Sequence, residues 1–297
     1  MKSVFIALVT SKRHKKFIKG YLKMVQGFTY PELSLHIVET THNSRSYYTE
    51  LKKVCSKYEF VESVDRYNWD PKKEFVFKMM AGAKNILRDR FLDGNYDLYF
   101  SLDTDTILPD YSVSLLVEDN KDNVGFPSPI WGHEPCVLKQ GGFHLKTIVD
   151  KDFNGTIIFC DDGSALTKKG WTLDVYSWYE LISKMRTSGS YMFKVYAVGN
   201  GCLLSKRKVI KKVKWEVPNN FVIGEDLIWY ENVNRNGYEF WVDMRVIPIH
   251  MIAGWADVPT WYLSQTQRLY ILTGCELDEE ELTVENVKKK ISEVIAK

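Results

Sequence analysis

The stretch Leu98-Tyr99-Phe100-Ser101-Leu102-Asp103-Thr104-Asp105-Thr106 ends an apolar run in two carboxylates one residue apart. Such groups repel each other unless a cation or a strong donor lies between them. Oxygen ligands suit Mg²⁺ or Mn²⁺, ions that favour a few carboxylates together with substrate phosphates. The carboxyl ends of strands are also where open parallel sheets bind ligands. The plainer alternative is a solvated turn, because Asp and Thr are common after strands.

Two further groups follow downstream. Ile223-Gly224-Glu225-Asp226-Leu227 precedes a helical stretch. A carboxylate near a helix N-terminus is favoured in its ionised form, and an ionised carboxylate can take a proton from an alcohol as general base. Asp226 is the candidate, with Glu225 beside it; an ordinary N-cap is the alternative. Val246-Ile247-Pro248-Ile249-His250 then brings a histidine to the end of an apolar strand, where it is either structural or a metal ligand.

The elements that must position these groups are legible in the first hundred residues. Val4–Val9 is a continuous apolar run, as in a strand buried on both faces. A basic helix near Lys15–Gln26, a strand at Leu33–Glu39, a helix at Tyr47–Tyr58, a short strand at Phe60–Val64, a helix at Lys73–Leu92 and a strand at Asp97–Leu102 follow. This alternation predicts an α/β fold with a mostly parallel central sheet flanked by helices. After residue 110 the rhythm loosens. Val124–Ile130, Thr156–Cys160, Tyr191–Leu204 (broken by Gly199-Asn200-Gly201) and Glu239–Ile249 read as strands, Leu227–Asn236 as a helix, and Lys139–Trp171 mostly as loops. Helices are expected near Trp261–Leu272 and Val284–Ala296. The division is into 1–125, 126–256 and a helical tail, 257–297, with the two halves sharing one body.

Composition bounds the function. Over 297 residues, 45% apolar and 26% charged content describes a globular chain. Forty Lys plus Arg against 38 Asp plus Glu leave a net charge of +2, which argues against a protein held mainly to nucleic acid or anionic lipid, although a local patch could hide within it. Cys55, Cys136, Cys160, Cys202 and Cys275 lie far apart without a Cys-x-x-Cys pair, the pattern of reduced thiols in a cytoplasmic protein. No apolar stretch approaches the ~20 residues of a membrane helix. Met-Lys-Ser followed by Val4–Val9 imitates a signal peptide but lacks a small-residue cleavage site, so a first strand is expected. Most of the nine Trp are read as core anchors.

In their order, Asp103-Thr104-Asp105, Glu225-Asp226 and His250 resemble the motifs of GT-A glycosyltransferases, particularly the family two type, over roughly Ser3 to His250. The resemblance implies a nucleotide-binding N-terminal half (1–125), an acceptor-binding and catalytic half (126–256), and a nucleotide-diphosphate sugar as donor. It implies Mn²⁺ or Mg²⁺ held by Asp103, Asp105 and His250, with Asp103 shared between metal and ribose. It also implies Asp226 as base beside Glu225, and a glycan, lipid or protein acceptor; an inverting reaction is favoured. Thr10 and Ser11 would face the nucleotide, Glu39 would contact its base, and Lys84-Asn85 matches the basic residue and Asn that the family carries before its Asp-x-Asp. Gly199-Asn200-Gly201 matches a small-residue turn that lets backbone approach the donor sugar.

Two other readings stand beside it. Asp103-Thr104-Asp105-Thr106 also fits the Asp-x-Asp-x-Thr pattern of haloacid-dehalogenase-like phosphatases, with Asp103 as nucleophile and Asp161-Asp162 or Glu225-Asp226 as the acidic pair. Those enzymes usually carry the motif on their first core strand. A non-catalytic nucleotide- or carbohydrate-binding protein could instead use Trp131, Trp171, Trp178 and Trp255 to stack on sugars.

Overall fold

The computed structural model describes residues 1–43, 45–72, 74–128, 137–139, 146–150, 155–159, 176, 178–217, 224–246 and 248–250. Its strands are β1 (Val4–Thr10), β2 (Leu33–Glu39), β3 (Val61–Arg66), β4 (Leu98–Leu102), β5 (Thr106–Ile107), β6 (Asn123–Gly125), β7 (Val137–Leu138), β8 (Lys146–Asp150), β9 (Gly155–Phe159), β10 (Met192–Val195), β11 (Ala197–Val198), β12 (Cys202–Lys206), β13 (Phe240–Asp243) and β14 (Ile249–His250). The helices are α1 (Ile18–Gln26), α2 (Arg45–Cys55), α3 (Val76–Asp93), α4 (Ser112–Asp119), α5 (Trp178–Ser188), α6 (Arg207–Lys212) and α7 (Glu225–Arg235).

Eight strands form one sheet in the order β10-β13-β6-β12-β4-β1-β2-β3. Six point the same way, and β12 and β10 run against them. The sheet continues across residue 125, because β12, β13 and β10 extend it beyond β4 and β6. The apolar run at the N-terminus becomes β1, with Val4, Phe5, Ile6 and Leu8 fully buried between β2 and β4. Asp93-Gly94 ends α3, and Asn236-Gly237 ends α7, where Gly237 takes φ +79°.

The second half departs from its sequence reading in several places: Lys146–Asp150, read as loop, is β8 paired antiparallel with β9, and α5 has no counterpart in that reading. Tyr191–Leu204 yields three strands: β10 at the sheet edge, β11 paired outside it with β7, and β12 after the glycine turn. Glu239–Ile249 also splits. Asp243 Oδ1 accepts from the Arg245 backbone N–H at 2.9 Å and Oδ2 from its Nε at 3.0 Å, turning the chain out of the sheet after β13. It returns as β14. The helices α4 and α6, eight and six residues long, had no sequence signal. The expected C-terminal helices, Trp131, Trp171, Trp255, Cys136, Cys160, Cys275 and Asp161-Asp162 lie outside the described residues. Trp215 and Trp229 stack at 5.0 Å as fully buried anchors, matching the expected core role.

Candidate active site

Strand order decides where a ligand can enter. The chain builds outward from β1 through β2 to β3, then crosses back to place β4 on the other side of β1. Connections therefore leave in opposite directions at the β1–β4 boundary, which opens a crevice at the carboxyl ends of the strands. Thr10 ends β1 and Asp103 follows β4, so both lie at this crevice. The Thr104 hydroxyl donates to the Thr10 hydroxyl at 3.1 Å, and both side chains are buried.

The antiparallel β12 brings its start to the end of β4, with Cys202 opposite Leu102. The Asp103 N–H donates to the Gly201 carbonyl at 3.0 Å. A Cβ on Gly201 would lie 2.5 Å from Asp103 Oδ2, so a glycine is required for the carboxylate to lie across this backbone. On the other side, β14 pairs with β5 and sets His250 opposite Thr106, next to Asp105 in sequence. That places the late histidine's backbone beside the carboxylate pair.

Glu225 and Asp226 open α7, where the first-turn N–H groups favour negative charge. They face Lys84, from the middle of α3 and 7% exposed. Lys84 Nζ donates to Glu225 Oε1 at 2.8 Å and also to Asp226 Oδ1. Burial alone would lower the lysine's pKa; the two carboxylates overcome it and raise the pKa well above the ordinary lysine value. One ammonium cannot neutralise two carboxylates. The more deeply buried Glu225 takes the shortfall, its pKa pushed up to about 7 by burial and by Asp226 despite the pull of Lys84. The Glu225 side chain is 7% exposed and that of Asp226 34%, so Asp226 is the acid that faces outward. Asn200 donates to Asp226 Oδ1 at 3.0 Å, and Gly201, its neighbour, underlies Asp103. One turn thus links the acid pair to the Asp-x-Asp.

The remaining expected residues lie nearby in different states. Ser11 follows β1 in extended backbone, φ −144°, ahead of the exposed turn Lys12–His14. Glu39 ends β2 but is fully buried. Its Oε1 accepts from the Thr41 N–H at 2.6 Å, and Oε2 lies 3.5 Å from Arg66 Nε. Lys84 directs its ammonium at the acid pair, while Asn85 holds the backbone of Trp215 through both its amide groups. Sequence reasoning missed the roles of Asn200 and Lys84 in fixing Asp226. The first was read only for its flanking glycines, and the second belongs to a helix more than a hundred residues away.

Asp103 and Asp105 are hard oxygen donors suited to Mg²⁺ or Mn²⁺, which complete their coordination with substrate phosphates and water. Among the described residues no group of three or more His, Cys, Asp or Glu is assembled as a metal site. A carboxylate held over a glycine, with a second one two positions on in the chain, still fits an ion that shares its coordination with a diphosphate. The phosphatase arrangement differs, since the first core strand here ends in Thr10 and the Asp-x-Asp follows the fourth strand in the chain.

No protein-family model and no curated protein matches the sequence. Solved structures do. GalNAc-T7, crystallised with UDP, GalNAc and Mn²⁺, aligns with a TM-score of 0.51 at 10% identity, over 84% of this chain and 44% of its own. S. aureus TarS aligns at 0.49 with 8% identity, over 98% of this chain and 44% of its own; TarS 1-349 aligns at 0.47 with 10% identity, over 98% and 72%. This chain therefore spans less than half the length of GalNAc-T7. With its mostly parallel sheet and helices on either side, the chain has the GT-A fold of glycosyltransferases.

Proposed function

We propose that this chain is a metal-dependent glycosyltransferase that moves a sugar from a nucleotide-diphosphate sugar to a hydroxyl of a glycan, lipid or protein. The observation that carries the reading is the meeting of three sequence-distant groups at one sheet edge: Asp103-Thr104-Asp105, the Asn200-Gly201 turn, and Glu225-Asp226. Residues 1–125 would bind the donor, with Thr10 and Ser11 lining the nucleotide crevice and Glu39 supporting its wall. Residues 126–256 would supply the acceptor side, and 257–297 a helical tail. Asp103 and Asp105, with His250 beside them, would hold Mn²⁺ or Mg²⁺. When bound, such an ion would supply positive charge to offset that developing on the departing nucleoside diphosphate.

Asp226 removes the acceptor hydroxyl's proton as that oxygen attacks the anomeric carbon. The bond from that carbon to the phosphate oxygen breaks, its electron pair leaves with the diphosphate, and attack from the opposite face inverts the centre. Lys84 and Asn200 both donate to Asp226 Oδ1 and so hold its carboxylate in place. The two buried free thiols among the described residues, Cys55 and Cys202, support a reducing, cytoplasmic setting. No described helix is long and apolar enough to cross a membrane.

A panel of nucleotide sugars tests the reading. Slow Mn²⁺-dependent hydrolysis to free sugar and intact nucleoside diphosphate is expected. Release of inorganic phosphate with an aspartyl-phosphate on Asp103, seen by mass spectrometry, would replace it with the phosphatase reading.

A further inference from the structure

The near-neutral charge of the chain conceals an uneven distribution. Residues 1–31 contain seven of the 40 Lys and Arg and none of the 38 Asp and Glu, so the rest of the chain carries a net charge of −5. Six of those cations, Lys12, Arg13, Lys15, Lys16, Lys19 and Lys23, are exposed and clustered along the turn after β1 and the outer side of α1. Lys19 and Lys23 stand one turn apart, while Ile18, Tyr21, Leu22 and Val25 bury the opposite side of that helix. Among the described residues a single ion pair, Lys15 with Glu50 at 2.7 Å, compensates the cluster.

The cluster adjoins the candidate site. It begins two residues after Thr10, and the Lys12 N–H bonds Thr41 Oγ1, at the end of β2, at 2.7 Å. A second basic run, Lys206–Lys214, follows β12, whose end lies beside the start of β4, at the opposite edge of the sheet. There Lys208 pairs with Asp122 at 2.7 Å, and Arg207 is occupied by the carbonyls of Phe91, Leu92, Gly94 and Tyr96.

We propose that Lys12–Lys23 forms a docking face for a membrane surface rich in anionic headgroups, which holds the mouth of the crevice against the bilayer. The face is the outside of a helix and a turn, and a surface whose own charged residues are all cations, with Glu50 paired to one of them, matches a plane of negative charge. It offers few of the exposed aromatic rings on which single-stranded nucleic acid stacks, since Tyr21 is buried and Phe17 is covered by Lys16 at 4.7 Å. The apolar side of α1 is packed in the core, so binding is electrostatic and does not insert the helix. Docking of this kind stands whether or not the chain transfers sugar.

Co-sedimentation of the full chain with phosphatidylcholine vesicles, with and without phosphatidylglycerol, tests it. Binding should require the anionic lipid and weaken with salt. Each cation at such a surface is worth roughly fivefold in affinity, so K16A/K19A/K23A should bind about a hundredfold more weakly. K211A/K212A/K214A, at the other edge, should bind like the wild type. Equal binding to neutral vesicles, unchanged binding by the α1 variant, or retention by soluble polyphosphate without retention by vesicles would each overturn the proposal. Circular dichroism of both variants separates loss of charge from loss of fold.

Discussion

Gly201 and Asp226 carry the most exposed assumptions about single residues. A methyl group at 201 would meet Asp103 Oδ2 at 2.5 Å, and the short aspartate side chain can yield only by rotating away. Gly201→Ala should therefore weaken Mn²⁺-dependent binding of a nucleoside diphosphate at least about tenfold while leaving thermal stability nearly unchanged, because it displaces a site group instead of opening the core. Calorimetry with and without the metal reads this directly; undiminished binding would show that Asp103 tolerates the rotation. Asp226→Asn keeps the bond from Asn200 or Lys84 sterically feasible but cannot take a proton. Transfer should fall by ~10²–10⁴-fold with donor affinity retained. Full activity in that variant would remove Asp226 from the base role and the inverting mechanism with it.

Between elements, the contact that matters most joins α3 to α7. Lys84 is the cation between two acids of which one is fully buried, so deleting it strands negative charge in a poorly solvated place. Lys84→Met should destabilise the fold by about 3 kcal/mol at pH 7.5, measured by urea unfolding. The loss should shrink at pH 5, where protonation of Glu225 removes the need for the cation. A pH-independent loss would mean that the lysine stem's packing, not its charge, holds the helices together. Trp215 adds a second clasp, its backbone gripped by Asn85 from α3 and its ring stacked on Trp229 of α7.

At the scale of the whole molecule, two buried carboxylates set the response to pH. Asp119 is pushed up to about 7 by burial and by its neighbour Asp243, with Arg245 partly offsetting the shift. Glu225 is likewise raised to about 7. Both groups hold their proton more tightly folded than unfolded. Their stabilising contribution is complete below the ordinary carboxylate range near pH 4 and is lost as pH rises through about 7. Melting temperature should accordingly decline from about pH 6.5 to pH 8, above the range in which His36, its pKa lowered to about 4 by burial, contributes the opposite slope. Glu225→Gln and Asp119→Asn, which cannot ionise, should each flatten that decline, and a slope unchanged in both would place the titration elsewhere.

The first hundred residues were readable because their structure is local in origin. Val4–Val9 could only be a strand buried on both faces, and the strand-helix alternation that follows required a parallel sheet, so Asp103 and Asp105 had to sit at its carboxyl edge. Beyond residue 110 the strands are two to five residues long, too short to show periodicity, and their pairing is set by partners far away in the chain. Nothing in Glu239–Ile249 signals that Arg245 will bond Asp243 and divert the chain, yet that turn precedes the return that sets His250 beside Thr106. The types of the reactive groups are a property of the sequence. The tertiary structure decided which of them share a charge: a lysine on one helix meets two acids on another, and burial then determines which acid has its pKa raised and which is the more exposed.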